Sequence, residues 1–365
     1  MHQFAFRVDA SPEIGIGHLM RCLTLADALR DRGAQCHFLS RGHPGPYTDR
    51  VIRAGHGVHA LKSGARRSPA APSGPGHAAW LGTDWRADAE EVRDILASIE
   101  PDWLVVDHYA LDEAWERLVR PRCRRIAVID DLVDRPHDCD LLLDQTLGRA
   151  PEAYRSLVPQ RCELFTGASH ALLRREFAEL RAASLARRSA QPSPRNLLVT
   201  MGGIDQANAT ERVLEALARC ALPTDCRITV VMGASAPWLD SVRARASSMP
   251  WPTRVLVDVT DMAALLSETD LSIGAPGTTS WERCCLGVPA LLLVLAENQR
   301  HNASALEAAG AAVVLKERAP SLASIASALD GLLHQERLRS MSDAASRITS
   351  GRGAGRLADH LLNPS

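Results

Sequence analysis

The chain has almost no net charge: over 365 residues, 42 Lys+Arg stand against 43 Asp+Glu. Without a basic excess it lacks the electrostatic footprint of a nucleic-acid binder, and no block of like charge is available to dock on an anionic membrane. Long apolar runs are also missing. The longest, such as Pro289 to Ala296, fall far short of the ~20 residues that span a bilayer. The opening stretch MHQFAFRVDASPE has neither the basic start nor the small-residue cleavage site of a secretory signal, so a cytoplasmic location is expected. Nine cysteines include the adjacent pair Cys284 and Cys285 but no Cys-x-x-Cys spacing. A disulfide framework and a structural zinc site are therefore not expected, and reduced, mostly buried thiols are. What is present, 46% hydrophobic and 23% charged residues, fits a soluble globular protein long enough for two domains.

Phe4, Phe6 and Val8 alternate with polar residues in a strand that ends at Asp9 and enters the loop SPEIGIGH. Leu19, Cys22, Leu23 and Ala26 then share a helical face, and Gly33 stops that helix before the next strand, CHFLS. Further strands read out of 103–107, 125–130 and 141–144, with helical stretches such as DAEEVRDILASI between them. Alternation of this kind predicts an α/β fold with parallel sheets covered on both faces. Residues 63–77, rich in Pro, Gly, Ser and Ala, read as a disordered surface loop. ASLARRSAQPSPR (183–195) reads as the linker between a first domain over 1–182 and a second over 196–345, with a helical tail over 346–365. The second domain restarts the pattern with NLLVT, RITVVM, RVLV, LSI and ALLLV as strands. Two facing parallel-sheet domains with a cleft between them are expected.

Ligands of open parallel sheets bind beyond the carboxyl ends of the strands. That directs attention to GIGH, to DHY at 107–109, to Asp130-Asp131, to GGID at 202–205, to GAPGTTSWE at 274–282 and to LAENQ at 295–299. In GAPGTTS, small residues allow close approach to a ligand, while Thr278, Thr279 and Ser280 offer hydroxyl and N–H donors at a helix start. A diphosphate could be held there without a metal, although the same residues suit an ordinary helix cap. Glu282, on the first turn, can accept two hydrogen bonds from a ribose diol or simply serve the helix dipole. Glu297, Asn298, Gln299 and Asn302 suit hydroxyl, acetamido or phosphate groups, or a polar turn. GIGH lacks the third glycine of a dinucleotide fingerprint. Gly15 and Gly17 instead permit a tight turn that leaves His18 on the first turn of a helix, where a neutral imidazole can act as a base. Asp138-Cys139-Asp140 matches a short metal-binding pattern of some sugar-nucleotide enzymes, but it has no evident further ligand.

The ordered set RVDASPEIGIGHLMRCLTLADAL, DHYALDEAWE, IDDLVDRPHDCDLLLDQT, LLRREF, GGIDQANAT and IGAPGTTSWERCCLGVPALLLVLAENQ runs over nearly the whole chain. It resembles the UDP-sugar hydrolases of pseudaminic acid biosynthesis, which release UDP from UDP-2,4-diacetamido-2,4,6-trideoxy-β-L-altropyranose. The resemblance implies a GT-B fold and kinship with the UDP-GlcNAc glycosyltransferase that makes lipid II. Within that wider group, the UDP-binding element falls on Gly277 to Glu282 and Gly287 to Pro289, followed by Gln299 and Asn302-Ala303. By the same resemblance His18 would activate water, Tyr109 would line the sugar site, Glu282 would hold the ribose and Asn298 would contact the phosphates or sugar. Gly15, Gly17, Arg21 and Gly203 join the expected substrate contacts. The implied reaction is metal-independent C1–O cleavage with inversion, without a cofactor, by a monomer or weak homo-oligomer. A glycosyltransferase using the same UDP site, a non-catalytic nucleotide-sugar sensor and a hydrolysing 2-epimerase are the competing readings. The segment near 63–77, Ser169-His170 and Pro276 depart from the family pattern.

Overall fold

The computed structural model describes residues 1–11, 14–41, 46–62, 77–190, 194–317 and 319–364. The chain forms two compact units, Met1–Leu172 with Arg352–Ser365, and Leu173–Gly351. The first unit runs β1 (Gln3–Val8), α1 (Gly17–Arg30), β2 (Gln35–Arg41), α2 (Pro46–Arg53), β3 (Gly57–Leu61), α3 (Trp85–Ile99), β4 (Trp103–Asp107), α4 (Glu113–Val119), β5 (Arg125–Ile129), β6 (Leu141–Asp144) and β7 (Glu163–Thr166). Its strands order as β3-β2-β1-β4-β5-β6-β7, all parallel. The period-two pattern of β1 explains the layering. Phe4, Phe6 and Val8 pack with Leu19, Cys22 and Leu23 of α1 on one face. Ala5 joins Leu39, Val92, Leu96 and Trp115 in a separate core formed with α3 and α4.

The second unit comprises α5 (Arg175–Ala190), β8 (Asn196–Thr200), α6 (Ala209–Leu217), β9 (Arg227–Met232), α7 (Leu239–Ser247), β10 (Thr253–Val257), α8 (Met262–Glu268), β11 (Leu271–Gly274), α9 (Thr279–Cys285), β12 (Ala290–Leu293), α10 (Arg300–Ala308), β13 (Ala312–Leu315), α11 (Leu322–Leu332) and α12 (Gln335–Ser346). Its six parallel strands order as β10-β9-β8-β11-β12-β13. Each sheet therefore reverses its direction of winding once, between β1 and β4 in the first unit and between β8 and β11 in the second. The loops leaving those strands diverge there, and open α/β sheets hold ligands at that point.

The structure divides the chain differently from the sequence reading in two places. The segment 183–195, expected as a linker, is helical up to Ala190, and the unit boundary falls at Leu172/Leu173. Arg188 within it is buried and donates to the carbonyls of Leu286 and Leu266, where α9 and α8 end. The tail expected to follow the second domain contains α13 (Gly353–Leu362), which belongs to the first unit. Leu357, Ala358 and Leu361 enter the core beneath β1 and β4, and the Trp103 indole donates to the Leu361 carbonyl at 2.9 Å. The loop expected over 63–77 lies outside the described residues except for His77. All nine cysteines are free, and all but Cys123 are buried. Among the described residues no helix is long and apolar enough to cross a membrane.

Candidate functional site

In the first unit, Gly15 makes the turn out of β1. It sits at φ +81°, a conformation that favours glycine, and its N–H donates to the Ser11 carbonyl at 2.7 Å. The chain is thereby turned into α1, which begins at Gly17 and carries His18 and Arg21 one turn apart. Asp107 ends the neighbouring strand β4. Its carboxylate accepts from His18 Nδ1 at 2.6 Å, and from Arg21 Nε and Nη2, each at 2.6 Å. Burial opposes the charge on Asp107, but the Arg21 guanidinium and His18 outweigh it and hold the carboxyl below the usual carboxylate range. Arg21 is correspondingly held well above its ordinary value against the cost of burial, chiefly by Asp107. An ionised carboxylate can only accept, so the proton of a neutral His18 ring lies on Nδ1. Nε2 is left with its lone pair and has no hydrogen-bond partner among the described residues.

Arg21 also donates to Asp131 at 3.0 Å, and Asp131 accepts from the Tyr109 hydroxyl at 2.5 Å. The Tyr109 ring meets His18 edge-on, with centroids 4.6 Å apart. Burial, reinforced by the Asp131 carboxylate, pushes the Tyr109 phenol far up, so it stays protonated and acts as a donor. The two acids of Asp130-Asp131 thus part company. Asp130 turns into the core to meet Arg135 at 2.8 Å and the Tyr154 hydroxyl at 2.9 Å. Asp107, with the tautomer it imposes on His18, and Asp131 were not assigned roles in sequence. The available signal was an acid at the carboxyl end of a strand beside the reversal point.

In the second unit, β11 delivers the loop into α9 past Gly274, where a Cβ would lie 2.4 Å from the Thr200 carbonyl oxygen of β8. Only glycine permits that approach. The hydroxyls of Thr278 and Thr279 make no hydrogen bond among the described residues, and Thr278 is exposed. Ser280 turns inward and accepts from Arg283 Nη2 at 3.1 Å, while the same nitrogen donates to the Ala275 carbonyl at 2.7 Å. Arg283, which sequence reading passed over, is a buried cation beneath the loop with no ion-pair partner within 4 Å among the described residues. Burial lowers it to about 10, leaving it charged at neutral pH. Glu282 is half-buried, and its carboxylate has no hydrogen-bond partner among the described residues. Burial pushes it up to about 7, against the pull of Arg174 and Arg283.

Gly203 follows β8, and nothing stands within 4 Å of where its Cβ would be; its carbonyl accepts from Gly233 N at 2.9 Å. Asp205 caps α6, accepting from the N–H groups of Ala209 and Thr210 at 2.9 and 2.8 Å. GGID is thus a strand-to-helix turn whose helix donors are partly engaged. Gln299 spends its carbonyl oxygen on the N–H groups of Leu295 and Ala296, keeping its amide hydrogens. The Asn298 side chain lies outside the described set. Asn302 Oδ1 is buried without a partner among the described residues. Asp138 and Asp140 are both paired with Arg120 and Arg161, at 2.6 to 3.1 Å, an arrangement that leaves little charge for a cation.

Two glycine-lined loops at reversal points, one under an oriented imidazole and one over a buried cation, form the context in which comparisons with known proteins carry meaning. Residues 196–357 match the glycosyltransferase family 28 C-terminal domain. The chain is also similar, at 24% identity, to the UDP-2,4-diacetamido-2,4,6-trideoxy-beta-L-altropyranose hydrolase of Campylobacter jejuni, over 85% of this chain and 98% of that one. An uncharacterized protein of Methanocaldococcus jannaschii is 24% identical over 82% of this chain, which spans 57% of that relative's length. Among solved structures, MurG of Acinetobacter baumannii superimposes with a TM-score of 0.73 at 16% identity, covering 99% of both chains. The fold is therefore that of the GT-B glycosyltransferases, with two α/β domains built on parallel sheets.

Proposed function

We propose that the chain hydrolyses a UDP-sugar at the anomeric carbon, releasing UDP and the free sugar with inverted configuration. The observation that carries this reading is the Asp107 carboxylate 2.6 Å from His18 Nδ1, which leaves Nε2 as the proton acceptor. A water hydrogen-bonded to Nε2 attacks C1, its proton passes to Nε2, and the C1–O bond electrons leave with UDP. Asp107 stabilises the imidazolium that forms, and Arg21 keeps Asp107 ionised and in place. Ordinary glycosidases need a second carboxylic acid to protonate an alkoxide. UDP departs as a stabilised anion, so donors at Thr278 and Thr279 together with the Arg283 charge can meet the developing negative charge instead. Glu282 suits the ribose hydroxyls, and Gln299 and Asn298 suit the phosphates or sugar. Gly15, Gly17 and Gly203 shape the backbone approach. Similarity to the Campylobacter hydrolase supports UDP-2,4-diacetamido-2,4,6-trideoxy-β-L-altropyranose as the substrate to test first, in pseudaminic acid biosynthesis.

The family 28 domain and the MurG-like fold favour a second reading, transfer of the sugar to an acceptor. One experiment separates the two. The protein is incubated with the diacetamido UDP-sugar in ¹⁸O-labelled water without an acceptor, in the presence of a chelator. Hydrolysis predicts UDP release with the label in the inverted sugar. Label in UDP would overturn C1–O cleavage, and UDP release only on adding an acceptor would establish the transferase reading.

A further inference from the structure

A short 3-10 turn, Ala78–Leu81, precedes α3, and its Leu81 is anchored in the core of the first unit. It brings two side chains beside the His18 centre that neither the sequence reading nor the mechanism above uses. The Trp80 ring stacks on Tyr109, with centroids 5.8 Å apart and planes 30° apart. His77 fills the angle between them, 4.6 Å from Trp80 and 5.2 Å from Tyr109. Tyr109 is thus enclosed by His18, His77 and Trp80. It is only 9% exposed, and its hydroxyl is committed to Asp131. Trp80 is half-buried and retains accessible ring surface. His77 Nδ1 is buried with no hydrogen-bond partner among the described residues. An unsatisfied buried nitrogen costs free energy that a bound ligand can recover.

We infer that Trp80 and His77, held by Tyr109, recognise the sugar half of the substrate: Trp80 packs on an apolar C–H or methyl edge of the pyranose, and His77 Nδ1 hydrogen-bonds a polar ring substituent. This rests on the UDP-sugar reading above and deepens it by naming a specificity device. An indole ring offers a large flat apolar surface with little rotamer entropy to lose, and its electron-rich face attracts polarised C–H groups. A sugar carrying a 6-methyl group in place of a 6-hydroxymethyl fits such a surface without leaving a hydroxyl unpaired against it. The chemical class tested is that of the reading above, a 6-deoxy, amide-bearing pyranose attached to UDP.

The test compares wild type, Trp80→Ala, Trp80→Phe and His77→Phe in UDP release from the 6-deoxy diacetamido UDP-sugar and from UDP-GlcNAc, with UDP affinity measured by calorimetry. Trp80→Ala is expected to lower kcat/KM for the 6-deoxy sugar about tenfold or more, mainly through KM, and to bring its preference over UDP-GlcNAc toward parity. Trp80→Phe should retain most of both, and UDP affinity should stay within about twofold in all variants. His77→Phe should lose about tenfold in kcat/KM while its Tm stays level or rises, because an unsatisfied polar atom has been removed. A residue that merely packs would lower Tm instead. Unchanged kcat/KM and selectivity in Trp80→Ala, or an unchanged kcat/KM in His77→Phe should the alanine variant not fold, overturns the inference while leaving hydrolysis intact. If wild type releases UDP from neither sugar, the hydrolase reading fails separately. Line broadening of the free 6-deoxy diacetamido sugar by wild type and not by Trp80→Ala would still support the sugar platform, and equal broadening or none would overturn it.

Discussion

At the scale of single residues, the strongest prediction concerns the His18–Asp107 pair. His18→Ala should lower UDP release by about 100-fold or more, the usual worth of a positioned base, with UDP affinity nearly unchanged. Asp107→Asn presents an amide where the ring nitrogen now finds an acceptor, so the tautomer is no longer fixed. Its kcat should fall by a similar factor. It should also lose stability, by up to about 3–5 kcal/mol, because the buried Arg21 charge loses the carboxylate that accepts from both its Nε and Nη2 and keeps only Asp131. His18→Ala should not show that second loss, and denaturant unfolding of the two variants separates catalysis from structure. Glu282 carries a pH signature. Its carboxyl is raised to about 7 from 4.5, so the native state favours the protonated form. Stability from this group is full below about pH 4.5, falls as pH rises, and is lost above about pH 7. Glu282→Gln stays neutral throughout. The variant should therefore gain on wild type between those pH values, reaching about 2–3 kcal/mol by pH 8, as read from urea midpoints at each pH. His18 and Glu282 were legible because each sits on the first turn of a helix after a glycine loop. Asp107, Asp131 and Arg283 were not, since an acid ending a strand and an arginine inside a short helix have common structural explanations that only the folded contacts exclude.

At the scale of elements, the strands were easy to read because parallel sheets buried on both faces leave apolar runs such as WLVVD and ALLLV. The glycine loops were readable for another reason: the backbone approach they permit is steric. At Gly274 the approach is to a backbone carbonyl, which cannot rotate away as a side chain can. Gly274→Ala should therefore cost about 1–3 kcal/mol and weaken UDP binding, because β11 and β8 must part at the point where the loop enters α9. Gly277→Ala, with nothing within 4 Å of its Cβ, should leave stability nearly unchanged, and thermal melts of the pair check the contrast. Helix α5 resisted reading because its serines and arginines resemble a polar linker. Its function is to satisfy the carbonyls that α8 and α9 leave free, and that pairing is set by tertiary structure.

At the scale of the whole molecule, alternation of strand and helix announced two parallel-sheet domains, and the order of strands within each sheet put the candidate loops at the reversal points. Chain order misled in one respect. The tail over 346–365 follows the second domain in sequence, yet its helix α13 completes the first. Nothing in GAGRLADHLL states which sheet its apolar face will cover, because either core could bury Leu357 and Leu361. The Trp103 indole decides it locally by donating to the Leu361 carbonyl, and Arg32 pairs with Asp359 at 2.6 Å on the outer side. The exposed pair contributes little, so the burial of the leucines dominates. Leu361→Ala should cost about 2–4 kcal/mol. Ending the chain at Gly351 should expose the β1–β4 face and leave residues 1–172 sensitive to protease while 173–351 survives as a folded fragment. Limited proteolysis with mass spectrometry reads that outcome directly. Survival of the first unit in the truncated protein, with the second degraded, would show that α13 is dispensable to the sheet it covers.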